Sequence, residues 1–437
     1  MNRRLTALLL CAAALLSLAA CGRAEPEAAE AAPLELHVVT SYGRGDGNRT
    51  NFEAAVASYE TKTGNRVIDG SATSNEEWKN KVLSDFMTGS EPDVLFYFTD
   101  VDAEPFISAG RVVSIEEIRE EYPDYATNMK QAMMAAASDG KHYAVPSTGY
   151  WENLFVNRRV LEACGLRVPG PDYSWDRFLA DCETVRRAGY TPIACSLYEI
   201  PHYWFEFAVL NNGTLAGHLE VPRLDAQGNL IRDAAAESWI AALEDLKALY
   251  EAQYLPESTL TATDAETVAL FAEGQAAFLV DGSWKVGYLT EYYPEHLDDY
   301  VVCCVPGKGE RKATEAIGGI SMGYFITRKA WNDPQKREAA VSFVFHMTSE
   351  EVLSSFITTE VTALIDGADP AGLNAIQQSA AETNAHITGI VGAVQDLISG
   401  EAKGELFADI QKCVTGQMSA EAAVEAAIRL NEEQYAS

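Results

Sequence analysis

Short apolar runs alternate with amphipathic segments along the first part of the chain. The runs at 34–40 (LELHVVT), 66–68 (RVI) and 94–98 (VLFYF) predict strands, and the third lacks polar alternation, which is typical of a strand covered on both faces. Between them, apolar positions at helical spacing predict helices that bury Phe52 and Trp78. The order β-α-β-α-β predicts an α/β fold built on a doubly wound parallel sheet.

The same pattern starts again near residue 150. The runs 150–157 and 191–196 predict strands on either side of a helix that begins after Ser174. Further strands are predicted at 300–305 and 322–327, and the rest of the chain has mainly helical spacing. Roughly 400 residues are too many for one hydrophobic core, so the restart predicts a second lobe.

The N-terminus has the pattern of an export signal. Two arginines precede an apolar run at 5–16, which is too short to span a bilayer, and the sequence LAACG follows at 18–22. This resembles a bacterial lipoprotein signal, and an ordinary secretory signal with an accidental cysteine is the alternative. We expect a signal peptide at 1–20 and lipid on Cys21. Residues 21–33 contain Ala, Glu, Pro and Gly without an apolar period, so they predict a flexible tether.

The chain is strongly acidic. Its net charge is −31, and the acidic residues are spread along the sequence rather than grouped in blocks. Such a surface repels nucleic acids and anionic lipid headgroups, so we expect no nucleic-acid partner. It is compatible with a neutral or cationic ligand, and equally with an exported protein whose acidic residues only face solvent.

Eight cysteines occur, of which Cys11 belongs to the signal and Cys21 to the expected lipid site. No C-x-x-C spacing is present, so the others give little support for a zinc or redox site. An even number of exported cysteines permits disulfides, but a chain of this size does not require them. We expect buried free thiols at the remaining six positions, which are Cys164, Cys182, Cys195, Cys303, Cys304 and Cys413.

Enzyme motifs have little support in this sequence. Neither H-E-x-x-H nor the phosphate-binding G-x-x-x-x-G-K-[ST] occurs, and Asn48 replaces the last glycine of a dinucleotide-binding pattern that begins at Gly43. The seven histidines are scattered without the spacing of metal ligands. We therefore expect no enzymatic activity, no cofactor and no metal. Without a phosphate-binding loop, any ATPase that works with this protein is expected on a separate chain.

Several short motifs, in a fixed order along the chain, resemble one known family. They are Pro92-Asp93-Val94, the stretch from Val145-Pro146 to Asn157, YSWDRF at 173–178, DGSW at 281–284 after an AAF strand, and 318–327 followed by Ala339, Ala340 and Phe343. Their order and spacing resemble family 1 extracellular solute-binding proteins, the sugar-type receptors of bacterial ABC importers. Arg177 and the polar loop at 44–47 depart from the family pattern and leave the identity of the ligand open.

The resemblance implies a two-lobed periplasmic-binding-protein-like fold of type II, with doubly wound sheets, hinge crossovers and a ligand cleft between the lobes. The crossovers are expected near Pro146, Trp284 and Arg328. The implied boundaries are a first part of lobe 1 at 34–146, a first part of lobe 2 at 147–284, a return to lobe 1 at 285–328 and a helical C-terminal part of lobe 2 at 329–437.

A sugar site needs aromatic rings against the apolar C–H faces and polar groups for the hydroxyls. Ligands of open α/β sheets bind outside the carboxyl ends of the strands. The residues of suitable type at such places, which we expect to bind ligand, are Tyr42, Asp100, Trp151, Tyr203, Trp204, Asp281 and Trp284, with Gly318 and Gly319 for a close backbone approach. Tyr150, Glu152 and His202 lie beside them in the sequence.

Each of these residues also has a structural alternative. Trp204 could pack over a core, Trp284 could brace a hinge, and strand alternation could turn Trp151 into the lobe. Asp100 could cap the helix that follows it instead of binding hydroxyl groups.

The resemblance implies an extracytoplasmic receptor, anchored to the membrane by lipid, that captures a sugar or oligosaccharide and delivers it to an ABC permease. The receptor is expected to be a monomer. A receptor for another small solute, such as a polyamine or peptide, and a surface glycoside hydrolase are the alternatives. An acidic cleft with few aromatic residues would favour a cation, aromatic walls would favour a sugar, and a hydrolase needs two carboxyl groups that flank the sugar.

Overall fold

The computed structural model describes residues 33–356, 363 and 372–436. The expected signal peptide, the expected lipid site at Cys21 and all of the expected tether except its last residue lie outside the described residues. Within the part of the chain that is described, no helix has both the length and the hydropathy that crossing a membrane requires.

Helices and strands alternate along most of the chain. The first group is β1 (Glu35–Val39), α1 (Arg49–Thr63), β2 (Arg66–Asp69), α2 (Glu76–Thr88), β3 (Val94–Phe98), α3 (Glu104–Ser108), α4 (Ile115–Glu121) and β4 (Val145–Pro146). The second group is β5 (Tyr150–Asn157), α5 (Arg158–Ala163), α6 (Trp175–Arg187), β6 (Thr191–Ala194), α7 (His202–Asn212), α8 (Ala234–Glu251), α9 (Asp264–Ala272), β7 (Ala276–Gly282), α10 (Trp284–Tyr292), β8 (Tyr300–Cys303) and β9 (Glu315–Gly319). The third group is β10 (Met322–Ile326), α11 (Arg328–Asn332), α12 (Pro334–Met347), α13 (Glu350–Phe356), α14 (Ala375–Asn384), β11 (Gly389–Val391), α15 (Gly400–Val414) and α16 (Ala420–Ala436). Short 3-10 turns lie at Gln131–Met133, Pro294–Asp299 and Val394–Leu397.

Five strands form the sheet of the first lobe, in the order β2-β1-β3-β10-β4. β1 is parallel to β2 and β3, whereas β10 runs antiparallel between β3 and β4. Successive residues of β3 face opposite cores, because Phe96 packs with Tyr59 on one side and Tyr97 packs with Trp78 and Phe106 on the other. The prediction that this strand is covered on both faces is confirmed.

The sheet of the second lobe has the order β11-β9-β5-β7-β6, and β8 also pairs with β5. β5 is its central strand and pairs antiparallel with β7, β8 and β9. Leu154 of β5 faces the larger core, which includes α6, α7 and α8, and Phe155 faces a smaller core with α9, α10 and α14. Alternation along β5 therefore decides which side of the sheet each side chain near its start will reach.

The chain passes between the lobes at three places. The first is residues 147–149 between β4 and β5, and the second is residues 320–321 between β9 and β10. These two segments lie beside each other, because Tyr150 pairs with Gly319. The third is between α13 and α14, where residues 357–362 and 364–371 fall outside the described part of the chain.

The second and third crossings correct the expected domain boundaries. Residues 285–328 are expected in lobe 1, but β8 and β9 pair with β5 in the second lobe, and only β10 joins the first sheet. Residues 329–437 are expected in lobe 2, but Trp331, Phe343 and Met347 of α11 and α12 pack in the first core. The apolar pattern predicts these elements but carries no information about which of two similar sheets they join.

The six described cysteines are all free thiols, and five of them are buried whereas Cys164 is half-buried. Burial raises the pKa of each of them, so their thiols stay protonated near neutral pH. The expectation of free thiols is confirmed, and that of full burial is confirmed for all but Cys164.

Candidate functional site

Three aromatic rings of the second lobe meet beside the crossovers. The ring of Trp284, at the start of α10, lies with its centroid 6.2 Å from that of Tyr150 on β5 and 6.1 Å from that of Tyr203 on α7. All three residues remain partly accessible, yet burial raises the pKa of both tyrosines well above the ordinary value. Because the three rings lie beside the crossovers and Trp284 lines a cavity between the lobes, this place is the candidate cleft. We call Tyr150, Tyr203 and Trp284 the aromatic trio.

A glycine at the end of β7 sets the position of the tryptophan. A Cβ atom at Gly282 would lie 2.2 Å from ring atoms of Trp284, so the ring folds back over the strand end. The N–H of Ser283 donates to the carbonyl of Trp151 at 2.9 Å and holds the turn against β5. The DGSW sequence thus places its tryptophan beside the start of β5, where the chain enters the lobe.

Two carboxyl groups lie beneath the aromatic trio. Glu152 is two residues after Tyr150 on β5, and Glu206 is one helical turn after Tyr203 on α7, so each carboxyl shares a face with a tyrosine. Their exposed fractions are 2% and 0%, and their side chains contact each other directly. Burial raises the pKa of both well above the ordinary value, and their mutual repulsion raises that of Glu206 further.

A second cluster of charges bridges the lobes. The carboxylate of Asp102, after β3, lies 2.7 Å from the Nζ atom of Lys79 on α2 and 3.5 Å from that of Lys403 on α15 of the other lobe. Asp100 and Asp396 also meet across the lobes in a carboxyl–carboxyl hydrogen bond. Burial raises the pKa of Asp100 and of Asp396, whereas in Asp102 the two ammonium groups outweigh burial and lower it. We call these five residues the bridging cluster.

The lobes also touch at two glycines on the far side of Trp284. A Cβ atom at Gly287 of α10 would lie 2.9 Å from the Cα atom of Gly47, in the loop before α1. A cavity of about 280 Å³ lies beside this contact and is lined by residues of both lobes, including Trp284. Burial, with a smaller contribution from Glu291 of the second lobe, raises the pKa of Asp46 to about 6. The structure therefore has the lobes in direct contact on both sides of the aromatic trio.

Two of the expected ligand residues lie in cores instead. Tyr42 is 6% exposed, and its ring stacks on Phe96 of β3 with centroids 5.0 Å apart. Trp204 is 4% exposed and stacks on Phe178 at 5.5 Å. Trp204 lies in the first turn of α7, and a rotation of about 100° per residue puts Tyr203 on the cleft side and Trp204 in the core.

Two further expected residues point away from the aromatic trio. Trp151 follows Tyr150 on β5 and therefore points to the opposite face, where it is 5% exposed and stacks on Phe155. Asp281 is fully buried and lies 3.2 Å from the Nζ atom of Lys285, which also binds Asp264 at 2.8 Å. The carboxyl of Asp281 is thus engaged in an ion-pair network under α10.

The structure brings three of the expected side chains to the cleft, namely Asp100, Tyr203 and Trp284. Gly318 and Gly319 lie at the second crossover. A Cβ atom at Gly318 would be 2.6 Å from the carbonyl oxygen of Tyr150, and Gly319 has a φ of 152°, which a side chain would disfavour. Gly318 allows two backbone segments to approach closely and Gly319 allows a positive φ. A role of either glycine in ligand contact stays a prediction.

Several residues of the cleft are missed or undervalued by the sequence reasoning. Glu206 is the lone charged residue in the otherwise apolar or polar neutral helix HYWFEFAVLNN, and that isolation is a usable signal. His202, for which burial and the nearby Lys403 lower the pKa to about 3, stacks its neutral ring on Phe407. Lys403 and Asp396 lie in the C-terminal part of the chain, and no local motif distinguishes them.

One sequence pattern typical of hydrolases lies at the second crossover. Residues 319–323 read G-I-S-M-G and match the G-x-S-x-G pattern of nucleophilic serines. In that class the serine lies on a turn between a strand and a helix, whereas Ser321 lies between β9 and β10. Its carbonyl accepts a hydrogen bond from the N–H of Thr99 at 2.8 Å. This serine therefore has a crossover position rather than that of a nucleophile elbow.

No group of three or more histidine, cysteine or carboxylate side chains in the described part of the chain has the arrangement of a metal site. The bridging cluster contains three carboxyl groups, but two lysines are among them, and a lysine ammonium repels a cation.

Solved structures with the same fold are numerous, and their sequences are distant. A chitin oligosaccharide binding protein is similar with a TM-score of 0.76 and 19% identity, over 93% of this chain and 100% of that one. RafE in complex with raffinose gives a TM-score of 0.71 and 17% identity, over 90% and 98%. The maltose/maltodextrin-binding domain MalE from Bdellovibrio bacteriovorus, bound to maltotriose, gives 0.70 and 19%, over 92% and 100%. The two-lobed type II fold is therefore confirmed.

Among curated proteins, none matches the sequence. A family match covers residues 54–381, which is most of the chain and includes both lobes, and the family is described as bacterial extracellular solute-binding protein. Its members bind solutes outside the cytoplasm and are not classed as enzymes. The chain belongs to the bacterial extracellular solute-binding proteins.

Proposed function

We propose that this protein captures a sugar or oligosaccharide between its lobes and delivers it to an ABC importer. The observation that carries the proposal is the aromatic trio, three partly accessible rings at the lobe interface with buried carboxyl groups beneath them. Ring faces cover the apolar C–H surfaces of a sugar, and carboxylates accept hydrogen bonds from its hydroxyls. The similar structures described above as binding chitin oligosaccharide, raffinose and maltotriose support the same class of ligand.

Closure of the lobes is the step that would signal capture. The bridging cluster and the contact of Gly47 with Gly287 can form only when the lobes are together. A ligand that contacts both lobes favours this state by its difference in affinity for the closed and open forms. The closed form is the one that a permease, with its ATPase on separate chains, would recognise.

The alternatives are weaker. A peptide or simple polyamine receptor has no need of three clustered rings, although the acidic groups would suit a cation. A glycoside hydrolase needs two carboxyl groups about 5–9.5 Å apart with the sugar between them. Glu152 and Glu206 instead contact each other directly, which leaves no room for a glycosidic bond between them.

A ligand screen by thermal shift tests the proposal. The chain from residue 21, with Cys21→Ser to keep it in solution, is expected to unfold at a higher temperature with one or more oligosaccharides. Binding to the native state alone contributes about 2.7 kcal/mol at a ligand concentration 100 times Kd. Polyamines and short peptides are the comparison ligands. Stabilisation by peptides or polyamines alone, or by no member of the panel, would contradict sugar capture.

We also propose that lipid on Cys21 anchors the receptor at the outer face of the membrane, with residues 21–33 as tether, and that the receptor acts as a monomer. Cys21→Ser is expected to abolish lipid attachment, because the thiolate is the group that accepts the lipid. Growth with a radiolabelled fatty acid precursor, followed by isolation of the protein, measures this. Cys11→Ser is the matched control and should leave labelling unchanged. Equal labelling of the Cys21→Ser protein would contradict the proposal, because it would show that lipid is attached at another residue.

A further inference from the structure

The charges of the bridging cluster balance one another. The two ammonium groups, on Lys79 and Lys403, both approach Asp102, whose single negative charge neutralises them only in part. The hydrogen bond between Asp100 and Asp396 requires that they share one proton, which leaves one negative charge on the pair. Two positive and two negative charges therefore lie together, and this cluster has no spare cation for the groups beneath the aromatic trio.

The ion pairs under α10 have no spare positive charge either. Lys285 lies between Asp264 and Asp281, at 2.8 and 3.2 Å, so one ammonium already faces two carboxylates. This site carries a net negative charge on the side of the sheet opposite to Glu206.

Glu152 and Glu206 are thus left without a cationic bonding partner. No N–H or O–H group of another described residue reaches either oxygen of Glu206 or Oε2 of Glu152. The two carboxyl groups hydrogen-bond each other and share a proton, as Asp100 and Asp396 do, so the pair keeps one negative charge. Lys403 acts on Glu206 electrostatically, but its ion pair is with Asp102. A buried negative charge without a bonded cation destabilises the protein. A ligand that brings a positive charge to the pair would balance it.

The surroundings of the two carboxyl groups indicate what would complete them. Tyr203 and Glu206 share one face of α7, Tyr150 and Glu152 share one face of β5, and Trp284 contacts both tyrosines. Hydroxyl groups of a neutral sugar can bond a carboxylate but cannot balance its charge. An ammonium group balances the charge and is also attracted to the faces of aromatic rings. Aromatic walls favour a sugar and uncompensated carboxyl groups favour a cation, so a ligand with both properties fits best.

We propose that the ligand is an amino sugar, mono- or oligomeric, whose protonated amine binds at Glu152 and Glu206 while its ring packs on the aromatic trio. The inference rests on the proposed function and names the class of sugar. A polyamine lacks the ring faces that the trio would cover. An N-acetylated or neutral sugar lacks the positive charge that would balance the carboxylate of the pair.

Calorimetry on matched sugars tests the proposal. The probes are glucosamine and its β-1,4-linked di- and trisaccharides, their N-acetylated counterparts, glucose oligomers of equal length, and spermidine. The free amines are expected to bind at least about tenfold more tightly than the acetylated and neutral sugars. The protein is the full chain from residue 21 with Cys21→Ser.

The pH dependence has a defined sign. In the free protein, burial raises the pKa of Glu152 and of Glu206 well above the ordinary value, so the pair holds its shared proton firmly, whereas a bound ammonium group favours the ionised form. Binding therefore releases protons, and amino-sugar affinity rises from pH 5 to pH 7. The other groups that face the pair are Asp396, Lys403 and the hydroxyls of Tyr150 and Tyr203, and Asp281 acts on Glu152 electrostatically from the other side of the sheet. Titrations in two buffers of different ionisation enthalpy measure the protons released.

Glu206→Gln keeps the shape of the side chain and removes its charge. It is expected to weaken amino-sugar binding about tenfold and to reduce proton release, with unfolding unchanged or improved, because a buried amide cannot ionise. Glu244→Gln, on α8 and away from the cleft, is the control. Equal or tighter binding of the neutral or acetylated sugars would overturn the inference and leave the proposed function intact. Binding of spermidine alone, or of no probe, would overturn both.

Discussion

Replacing Trp284 by alanine is expected to weaken sugar binding by about 1–3 kcal/mol and to change the unfolding midpoint little. The ring is partly accessible and contacts the other two rings of the trio rather than a closed core. Its removal takes away a surface on which a ligand can stack, while both hydrophobic cores of the second lobe keep their packing.

Trp204→Ala is the matched control for this experiment. The same residue type, in the same lobe, is 4% exposed and stacked on Phe178. Removing a buried tryptophan leaves a cavity and costs about 3–5 kcal/mol of unfolding free energy. We expect the protein that still folds to bind sugar nearly as tightly as the wild type.

Denaturant titration and calorimetry on the two variants separate the effects. Trp284→Ala should change affinity and not stability, and Trp204→Ala should change stability and not affinity. If Trp204→Ala instead abolished binding at unchanged stability, the assignment of the two tryptophans to cleft and core would be reversed. If Trp284→Ala left affinity unchanged, the aromatic trio would have only a structural role.

The contrast between these residues shows what the sequence can and cannot predict. Tyr203 and Trp204 are both large aromatic residues beside a predicted site, and no pattern at that point distinguishes a loop from the start of α7. Once the helix is known to begin at His202, its period assigns one ring to the cleft and the next to the core. Boundaries of elements are therefore what limits the prediction of side-chain direction.

The sequence cannot predict which sheet each late strand joins, and the reason is different. β8, β9 and β10 follow one another within 27 residues and are all short and buried. The first two pair with β5 and the third with β3, so the crossing falls between Gly319 and Met322. The hydrophobic pattern of a strand indicates that it is buried, and strands are buried to a similar degree in both sheets, so the pattern cannot distinguish the sheets. The alternation of strands and helices, by contrast, is sufficient to predict two α/β lobes.

The positions of the buried charges cannot be predicted from the helical period or from the hydrophobic pattern of the strands. Asp102 and Lys403 are 301 positions apart and meet only because the lobes meet. Glu152 and Glu206 come from a strand and a helix and are brought together by the packing of α7 on the second sheet. Such pairs depend on tertiary structure, so composition predicts an acidic protein without indicating where the uncompensated acid lies.

Gly287→Ala is expected to prevent full closure of the lobes. Gly287 lies in the middle of α10, and the added Cβ would lie 2.9 Å from the Cα atom and 3.0 Å from the carbonyl oxygen of Gly47 in the other lobe. Contacts this short with backbone atoms cannot be relieved by rotating a side chain. Alanine also favours a helix over glycine by about 1 kcal/mol, so the second lobe itself should be slightly more stable.

Small-angle X-ray scattering with and without saturating sugar measures the effect. The wild-type chain is expected to become more compact with ligand, and Gly287→Ala should show little or no compaction and at least roughly tenfold weaker binding, because the ligand loses the contacts that only the closed form supplies. Gly287→Leu should act in the same direction and more strongly.

Gly404→Ala on α15 is the control, because it makes the same substitution in a helix of the same lobe where no atom lies within 4 Å of the new Cβ. It should raise helix stability and leave compaction unchanged. Since both variants add one methyl group to a helix, a difference between them can only come from the contact with Gly47. Normal compaction of Gly287→Ala would mean that the loop before α1 moves aside at little cost. Capture would then depend on the bridging cluster and the aromatic trio alone, and the two glycines would have no part in holding the lobes together.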